Sequence, residues 1–253
     1  MKLFDLSGKT AIVTGGNRGL GLGMTEGLLK AGAKVCIIAS SDRVFAAVDE
    51  LSQQDYDVIG LKCDLFDEKQ TETVFHQAVS NLGGKLDILI NNAGVQRRHP
   101  AEQFPLSDWD DVLNVNLRVV FQLCQLAANH MIPNGGGKII NIASLLTFFG
   151  GITVPAYAAS KGGVGQLTRA LSNEWASKGI NVNAIAPGYM ETDMNEKLIE
   201  DKEVRYKEIS ARIPQGRWGT AEDMMGTAIF LASAASDYLN GTIIPVDGGY
   251  IGR

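Results

Sequence analysis

Seven short runs of β-branched and other apolar residues recur along this chain, separated by stretches with helical spacing, and few folds accommodate that alternation. The runs are Thr10–Thr14, Lys34–Ile38, Asp57–Leu61, Asp87–Ile90, Lys138–Ile142, Asn181–Ala186 and Thr242–Val246. Helices are expected between them, over Leu20–Ala31, Arg43–Gln53, Glu68–Leu82, Trp109–Met131, Tyr157–Lys178 and Ala221–Ala232. A strand that is apolar on both faces must be covered on both, and parallel neighbours require a crossover. The pattern predicts an α/β chain with a doubly wound, seven-stranded parallel sheet and helices on both faces. No Pro/Ser-rich linker or charge block divides it, so residues 1–253 are expected to form one domain.

Composition removes several function classes. A net charge of −5 offers no field for nucleic acid or an anionic membrane. No apolar run approaches the roughly 18 residues needed to span a bilayer. The opening Met1-Lys2-Leu3-Phe4-Asp5-Leu6 lacks the apolar core of a secretory signal, so a cytoplasmic location is expected. Cys36, Cys63 and Cys124 have no C-x-x-C spacing and read as buried reduced thiols. His76, His99 and His130 are scattered, and no metal site is expected.

The first strand runs into Thr14-Gly15-Gly16-Asn17-Arg18-Gly19-Leu20-Gly21. A glycine-rich turn between a strand and a helix lets backbone amides and the helix N-terminus approach a pyrophosphate. The spacing is G-x-x-x-G-x-G rather than the commonest dinucleotide fingerprint, and a tight packing turn is the plainer alternative. Further on, Tyr157 and Lys161 lie four apart, one turn from each other on a helix. A neighbouring ammonium favours a phenolate and would make the tyrosine a usable proton-transfer group.

Taken together, Thr14-Gly15-x-x-x-Gly19-x-Gly21, Asn91-Asn92-Ala93-Gly94, Tyr157-x-x-x-Lys161 and Pro187-Gly188 resemble the short-chain dehydrogenase/reductase family, in its order and over essentially the whole chain. The resemblance implies a Rossmann fold, an NAD(P) cofactor and hydride transfer between a nicotinamide and a carbonyl carbon. It implies that Tyr157 moves the hydroxyl proton, that Lys161 lowers the tyrosine pKa and binds the nicotinamide ribose, and that Ser144 polarises the substrate oxygen. Asn116 matches the family's asparagine, whose backbone would hold a water linking the lysine to solvent. The cofactor would lie on Gly15, Asn17, Arg18, Gly19, Leu20 and Gly21, on Asn91, Ala93 and Gly94, and on Pro187, Gly188, Met190 and Thr192. Asp64 and Leu65 match the adenine side, with a helix cap as the alternative for Asp64. Ser144 as a strand-end cap and Asn116 as a helix defect are the plainer readings of those two residues.

At the end of the second strand, where NAD-preferring relatives place an acid, this chain has Ala39-Ser40-Ser41-Asp42. Ser40 and Arg18 suit a 2′-phosphate, whereas Asp42 would repel one. NAD is the expected cofactor, with NADP left open.

Substrate is addressed by a narrower resemblance. Asn91-Asn92-Ala93-Gly94-Val95-Gln96-Arg97-Arg98, Phe149-Gly150-Gly151-Ile152-Thr153-Val154-Pro155-Ala156-Tyr157, Arg212-Ile213-Pro214-Gln215-Gly216-Arg217-Trp218-Gly219 and the Val246–Arg253 tail are similar to one branch, the 2-dehydro-3-deoxy-D-gluconate 5-dehydrogenases. That branch implies a keto or hydroxy sugar acid of uronate breakdown as substrate. Its carboxylate would suit an arginine, Arg97 or Arg98, with Ser144, Leu146 and Tyr157 lining the pocket. Gluconate 5-dehydrogenase and a 3-oxoacyl thioester reductase share the catalytic residues, and a nucleotide-binding regulator is the alternative from another class. A homotetramer is implied by the family. Arg253 at a neighbour's pocket and Arg217 as a structural tie are further expectations.

Overall fold

The structure, a computed structural model, describes residues 2–192 and 205–253. Its sheet holds β1 (Thr10–Thr14), β2 (Lys34–Ala39), β3 (Val58–Lys62), β4 (Ile88–Asn91), β5 (Gly137–Ile142), β6 (Ile180–Pro187) and β7 (Ile243–Val246). The strand order is β3-β2-β1-β4-β5-β6-β7 and every neighbouring pair is parallel. Strand order reverses between β1 and β4, so a crevice opens at their carboxyl ends, where Thr14 pairs with Asn91. That crevice sets the place of the site.

Alternation along each strand divides the core between the two faces. Ile12, Leu89, Ile139 and Val182 pack on one side with α3 (Glu68–Asn81), α5 (Val119–Met131) and α6 (Pro155–Trp175). Val13, Ile90, Ile140 and Ile185 pack on the other with α1 (Gly19–Lys30), α2 (Arg43–Ser52) and α8 (Met225–Ala232). All three cysteines are buried and unpaired, as expected.

Two elements differ from the sequence reading. The stretch Trp109–Met131 is not one regular helix: α4 (Leu106–Leu113) passes through a π-helical turn, Asn114–Arg118, before α5 begins. The cause is local, because the Asn116 amide leaves the helix surface to pair with the backbone of Val95. A helix not expected from periodicity, α7 (Arg205–Arg212), follows β6. It has no long apolar stripe, and its stability comes from contacts of Tyr206 and Ile209 with Trp218 and Ile213.

Candidate active site

The turn after β1 is shaped by glycine stereochemistry. Gly15 and Gly19 have φ of +63° and +51°, a region where an L side chain is strained. A methyl on Gly21 would run into the Gly15 carbonyl and come within 2.5 Å of Asn92 Nδ2. Asn92 fastens this turn to β4: its Nδ2 donates to the carbonyls of Thr14 and Gly15 at 3.0 Å each. In return, Thr14 Oγ1 accepts the amides of Asn92 and Ala93 at 3.0 and 3.1 Å. The N-terminus of α1 carries no side-chain cap and no acidic residue in its first turn. By contrast, α3 is capped by Asp67, which accepts the Lys69 and Gln70 amides at 3.0 Å each. A bare, uncapped amide end beside a turn too tight for side chains fits a pyrophosphate.

Other expected cofactor residues are placed variously. Thr192, after Pro187, Gly188 and the buried Met190, comes to the same turn: a Cβ built on Gly19 would lie 3.7 Å from its methyl. Ala93 and Gly94 leave the loop after β4 without bulk, while Asn17, Arg18 and Leu20 follow Gly15 around the turn. Asn91 points inward instead, its Nδ2 donating to Asn141 Oδ1 at 2.9 Å, so it braces β4 against β5. Asn92 and Thr14 hold the turn in its place. Asp64 is exposed and accepts the Phe66 amide at 3.0 Å, leaving the cap of α3 to Asp67. Leu65 is buried among Cys63 and Val74. Ser40 is exposed at the end of β2. Lys62, paired with Ala39 across the strands, holds both carboxylate oxygens of Asp42 at 3.0 Å.

Ser144 stands just beyond β5 and Tyr157 in the first turn of α6, with the serine side chain near enough to act on the tyrosine phenol. Burial pushes the Tyr157 phenol above its ordinary pKa, while the Ser144 side chain and the charge of Arg98 act the other way. Lys161 is 4% exposed, and burial lowers its ammonium pKa to about 8. Its Nζ donates to the Ile142 carbonyl at 2.6 Å and lies 5.6 Å from the centre of the tyrosine ring. Lys161 is thus anchored to β5 with its ammonium beside the tyrosine ring, while Ser144 and Arg98 act on the phenol from other directions. Fully buried Asn116 pairs with both backbone groups of Val95 at 2.8 and 2.9 Å and donates to Ser160 Oγ at 3.3 Å. It ties the loop after β4 to α6, a bracing role beyond that of a helix defect.

On the substrate side the adjacent arginines part. Arg97, expected at the substrate, is committed to α4, with nitrogens 4.0 Å from Asp108 and 3.6 Å from Asp111. Arg98 is the one whose charge reaches Tyr157. Leu146 donates its amide to Ser144 Oγ at 3.1 Å and its side chain packs over Gly151. Beyond lies an aromatic cluster: Trp218 stacks on Tyr206 at 5.2 Å, and Tyr189 meets Trp218 and Tyr250 at 5.3 and 5.2 Å. Arg212 sits 4.7 Å over the Tyr250 ring, and Arg253 donates to the Ala211 carbonyl of its own chain at 2.8 Å. Arg217 is a structural tie, bound to Asp223 and to the Trp218 carbonyl. Among the described residues no group of His, Cys, Asp and Glu side chains is arranged to hold a metal.

Known proteins match this arrangement along its length. The model of the short chain dehydrogenase family matches residues 9–203. A 2-dehydro-3-deoxy-D-gluconate 5-dehydrogenase of Bacillus subtilis is 49% identical over 251 residues, covering 99% of this chain and 97% of that protein. A crystal structure from Agrobacterium tumefaciens, provisionally assigned as a 2-deoxy-D-gluconate 3-dehydrogenase and holding NADP, superposes with a TM-score of 0.93 at 46% identity, covering 100% of both chains. A gluconate 5-dehydrogenase from Burkholderia cenocepacia, in complex with NADP and tartrate, gives 0.95 at 38% identity, covering 100% of this chain and 98% of that one. Matched by the family's model over residues 9–203 and by a 49% identical relative over 99% of its length, this chain belongs to the short-chain dehydrogenase family.

Proposed function

We propose that this protein is an NAD(P)-dependent oxidoreductase that interconverts a secondary hydroxyl and a ketone on a sugar acid, with 2-dehydro-3-deoxy-D-gluconate, oxidised at C5, as its substrate. The observation that carries this reading is the Tyr157–Lys161 pair on α6, held by Lys161 Nζ to the Ile142 carbonyl two residues before Ser144, with the charge of Arg98 acting on the phenol. Proton transfer and recognition of an acid are thereby served at one place. Full-length similarity to a dehydrogenase of that substrate supports the choice among sugar acids.

When bound, the nicotinamide supplies or accepts the hydride. The protein's own part is position and charge. Ser144 donates a hydrogen bond to the substrate oxygen and holds it against the Tyr157 hydroxyl. Tyr157 takes the proton from that oxygen in oxidation and returns it in reduction. Lys161, fixed by the Ile142 carbonyl, presents its ammonium beside the tyrosine and the nicotinamide ribose. Thr192, whose methyl lies beside Gly19, would hold the carboxamide of the nicotinamide. Arg98, whose charge acts on Tyr157, anchors the substrate carboxylate.

Either NAD or NADP fits the β2 end. No acid occupies Ala39 to select the ribose hydroxyl, and the Asp42 charge is answered by Lys62. A tetramer is the expected assembly, because Leu113, Leu117, Phe121 and Leu167 leave an apolar groove along α4, α5 and α6. Three unpaired buried thiols suit a reducing, cytoplasmic compartment. Residues 1–253 act as one catalytic domain.

The test is a panel of sugar acids, their keto forms and acyl thioesters, assayed with both cofactors in both oxidation states. Turnover of 2-dehydro-3-deoxy-D-gluconate should exceed that of gluconate and of any uncharged alcohol. Fastest turnover of a 3-oxoacyl thioester would overturn the sugar-acid reading.

A further inference from the structure

The segment after Ser144 contains a hydroxyl that no part of the proposed chemistry uses. Thr147 Oγ1 accepts the backbone amide of Ser144 at 3.3 Å and donates to the Lys161 carbonyl at 2.9 Å. One oxygen atom thus joins the loop that carries the serine to the helix that carries Tyr157 and Lys161. The same short turn is closed from the other side, where Ser144 Oγ accepts the Leu146 amide at 3.1 Å. Thr147 reaches α6 because Gly165 has no side chain. A Cβ at that glycine would stand 2.5 Å from the threonine methyl, but 3.9 Å from its Cβ. Gly165 lies one turn beyond Lys161, so the bare patch of helix sits beside the carbonyl that Thr147 binds.

We propose that Thr147 is a positioning residue, a clip that holds the Ser144 hydroxyl in hydrogen-bonding register with Tyr157 by tying the β5–α6 loop to the carbonyl of Lys161. Ser144 and Tyr157 lie on separate elements, and their relative placement depends on whatever joins those elements. Lys161 is bound from two sides, through Nζ to the Ile142 carbonyl and through its own carbonyl to Thr147. The first bond fixes helix to strand, and the second fixes helix to the serine loop. Losing the second frees the serine while leaving the cofactor turn, on β1 and β4, untouched. The clip acts on the chemical step and on substrate-oxygen alignment rather than on nucleotide affinity.

This inference rests on the proposed roles of Ser144 and Tyr157, and the experiment separates the two. Thr147→Val keeps shape and removes the hydroxyl, whereas Thr147→Ser keeps the hydroxyl and removes the methyl. Turnover with saturating sugar acid, its KM, and the dissociation constant of NADPH by fluorescence titration are measured for each, with thermal unfolding as a check on folding. Thr147→Val should lower kcat about tenfold or more with the NADPH constant within about twofold of wild type, the range set by small misplacements of reacting groups. Thr147→Ser should restore most of that turnover. Gly165→Ala should lower kcat in the Thr147 background, by pushing the methyl off the helix, and be relieved in the Gly165→Ala, Thr147→Ser double variant. That pair decides the matter even if Thr147→Val does not fold. Wild-type kcat in a folded Thr147→Val, or no relief in the double variant, would overturn the clip. Ser144→Ala and Tyr157→Phe run in parallel: if both stay active, the functional reading fails, and if both are inactive while Thr147→Val turns over normally, only the clip does.

Discussion

The two sides of this site are held by different means. On the cofactor side the backbone does the work. Gly15 and Gly19 adopt positive φ, Gly21 leaves room for a carbonyl, and Asn92 and Thr14 exchange hydrogen bonds with main-chain atoms. On the side proposed for the substrate, side chains from distant segments hold one another: Trp218 on Tyr206, Tyr189 on Tyr250, Arg212 over Tyr250, Arg97 on Asp108 and Asp111. Backbone geometry permits few residue types and therefore leaves a readable pattern. Stacked side chains can be exchanged among many, so a substrate pocket can change while the cofactor cradle does not.

The largest expected effect lies on the backbone side. Gly21→Ala drives a methyl into the Gly15 carbonyl, which cannot move without breaking its own bond from Asn92 Nδ2. We expect at least a hundredfold loss of NADPH affinity, about 3 kcal/mol, or failure to fold. A fluorescence titration with an unfolding curve distinguishes the two, and near-normal affinity would remove the steric basis of the comparison.

Next comes the packed side. Trp218 is 1% exposed, and its indole nitrogen donates to Ser210 Oγ at 3.0 Å. Trp218→Ala should cost about 3–5 kcal/mol where the loss is felt. Because the cluster joins α7 to the C-terminal turn, the damage should fall on KM for the sugar acid before the NADPH constant changes. Equal damage to both would mean that the two sides are not separately built.

A smaller and more selective effect is expected from Arg98→Met. KM for the acid should rise roughly tenfold to a hundredfold, as for loss of a charge-assisted contact. The same change sharpens the electrostatic account. Arg98 lowers the phenol pKa, so its removal raises that pKa. Alcohol oxidation needs the phenolate, so its rate should climb at higher pH in the variant than in wild type. Carbonyl reduction needs the protonated phenol and should stay flat to higher pH. An unshifted profile would leave Arg98 without a part in the proton step.

How much of this was legible beforehand follows the same division. All seven strands lie within a residue or so of the apolar runs, because a strand covered on both faces has little choice of composition. Gly15, Gly19, Gly21, Ser144, Tyr157 and Lys161 are readable as pattern, and they lie just beyond the carboxyl ends of β1 and β5 and in the first turns of α1 and α6. Arg97 and Arg98 were not separable, since only the folded chain places Asp108 and Asp111 beside the first of them. The π turn at Asn116 was hidden because apolar periodicity records which face is buried, not that a side chain has left the helix to bind Val95. Helix α7 was missed for lack of an apolar stripe, its stabilisation coming from Trp218. Thr147 carried no signal at all. A threonine three residues after a serine becomes meaningful only when Gly165, eighteen residues later, lies against its methyl.

The proton step of the proposed reaction passes through the phenol of Tyr157. The most direct measurement is single-turnover oxidation of 2-dehydro-3-deoxy-D-gluconate by Tyr157→Phe, with NADP binding measured on the same preparation. Loss of the proton-transfer group predicts a rate lower by roughly 10²–10⁴-fold at unchanged NADP affinity. Oxidation by that variant within a fewfold of wild type would contradict the central claim.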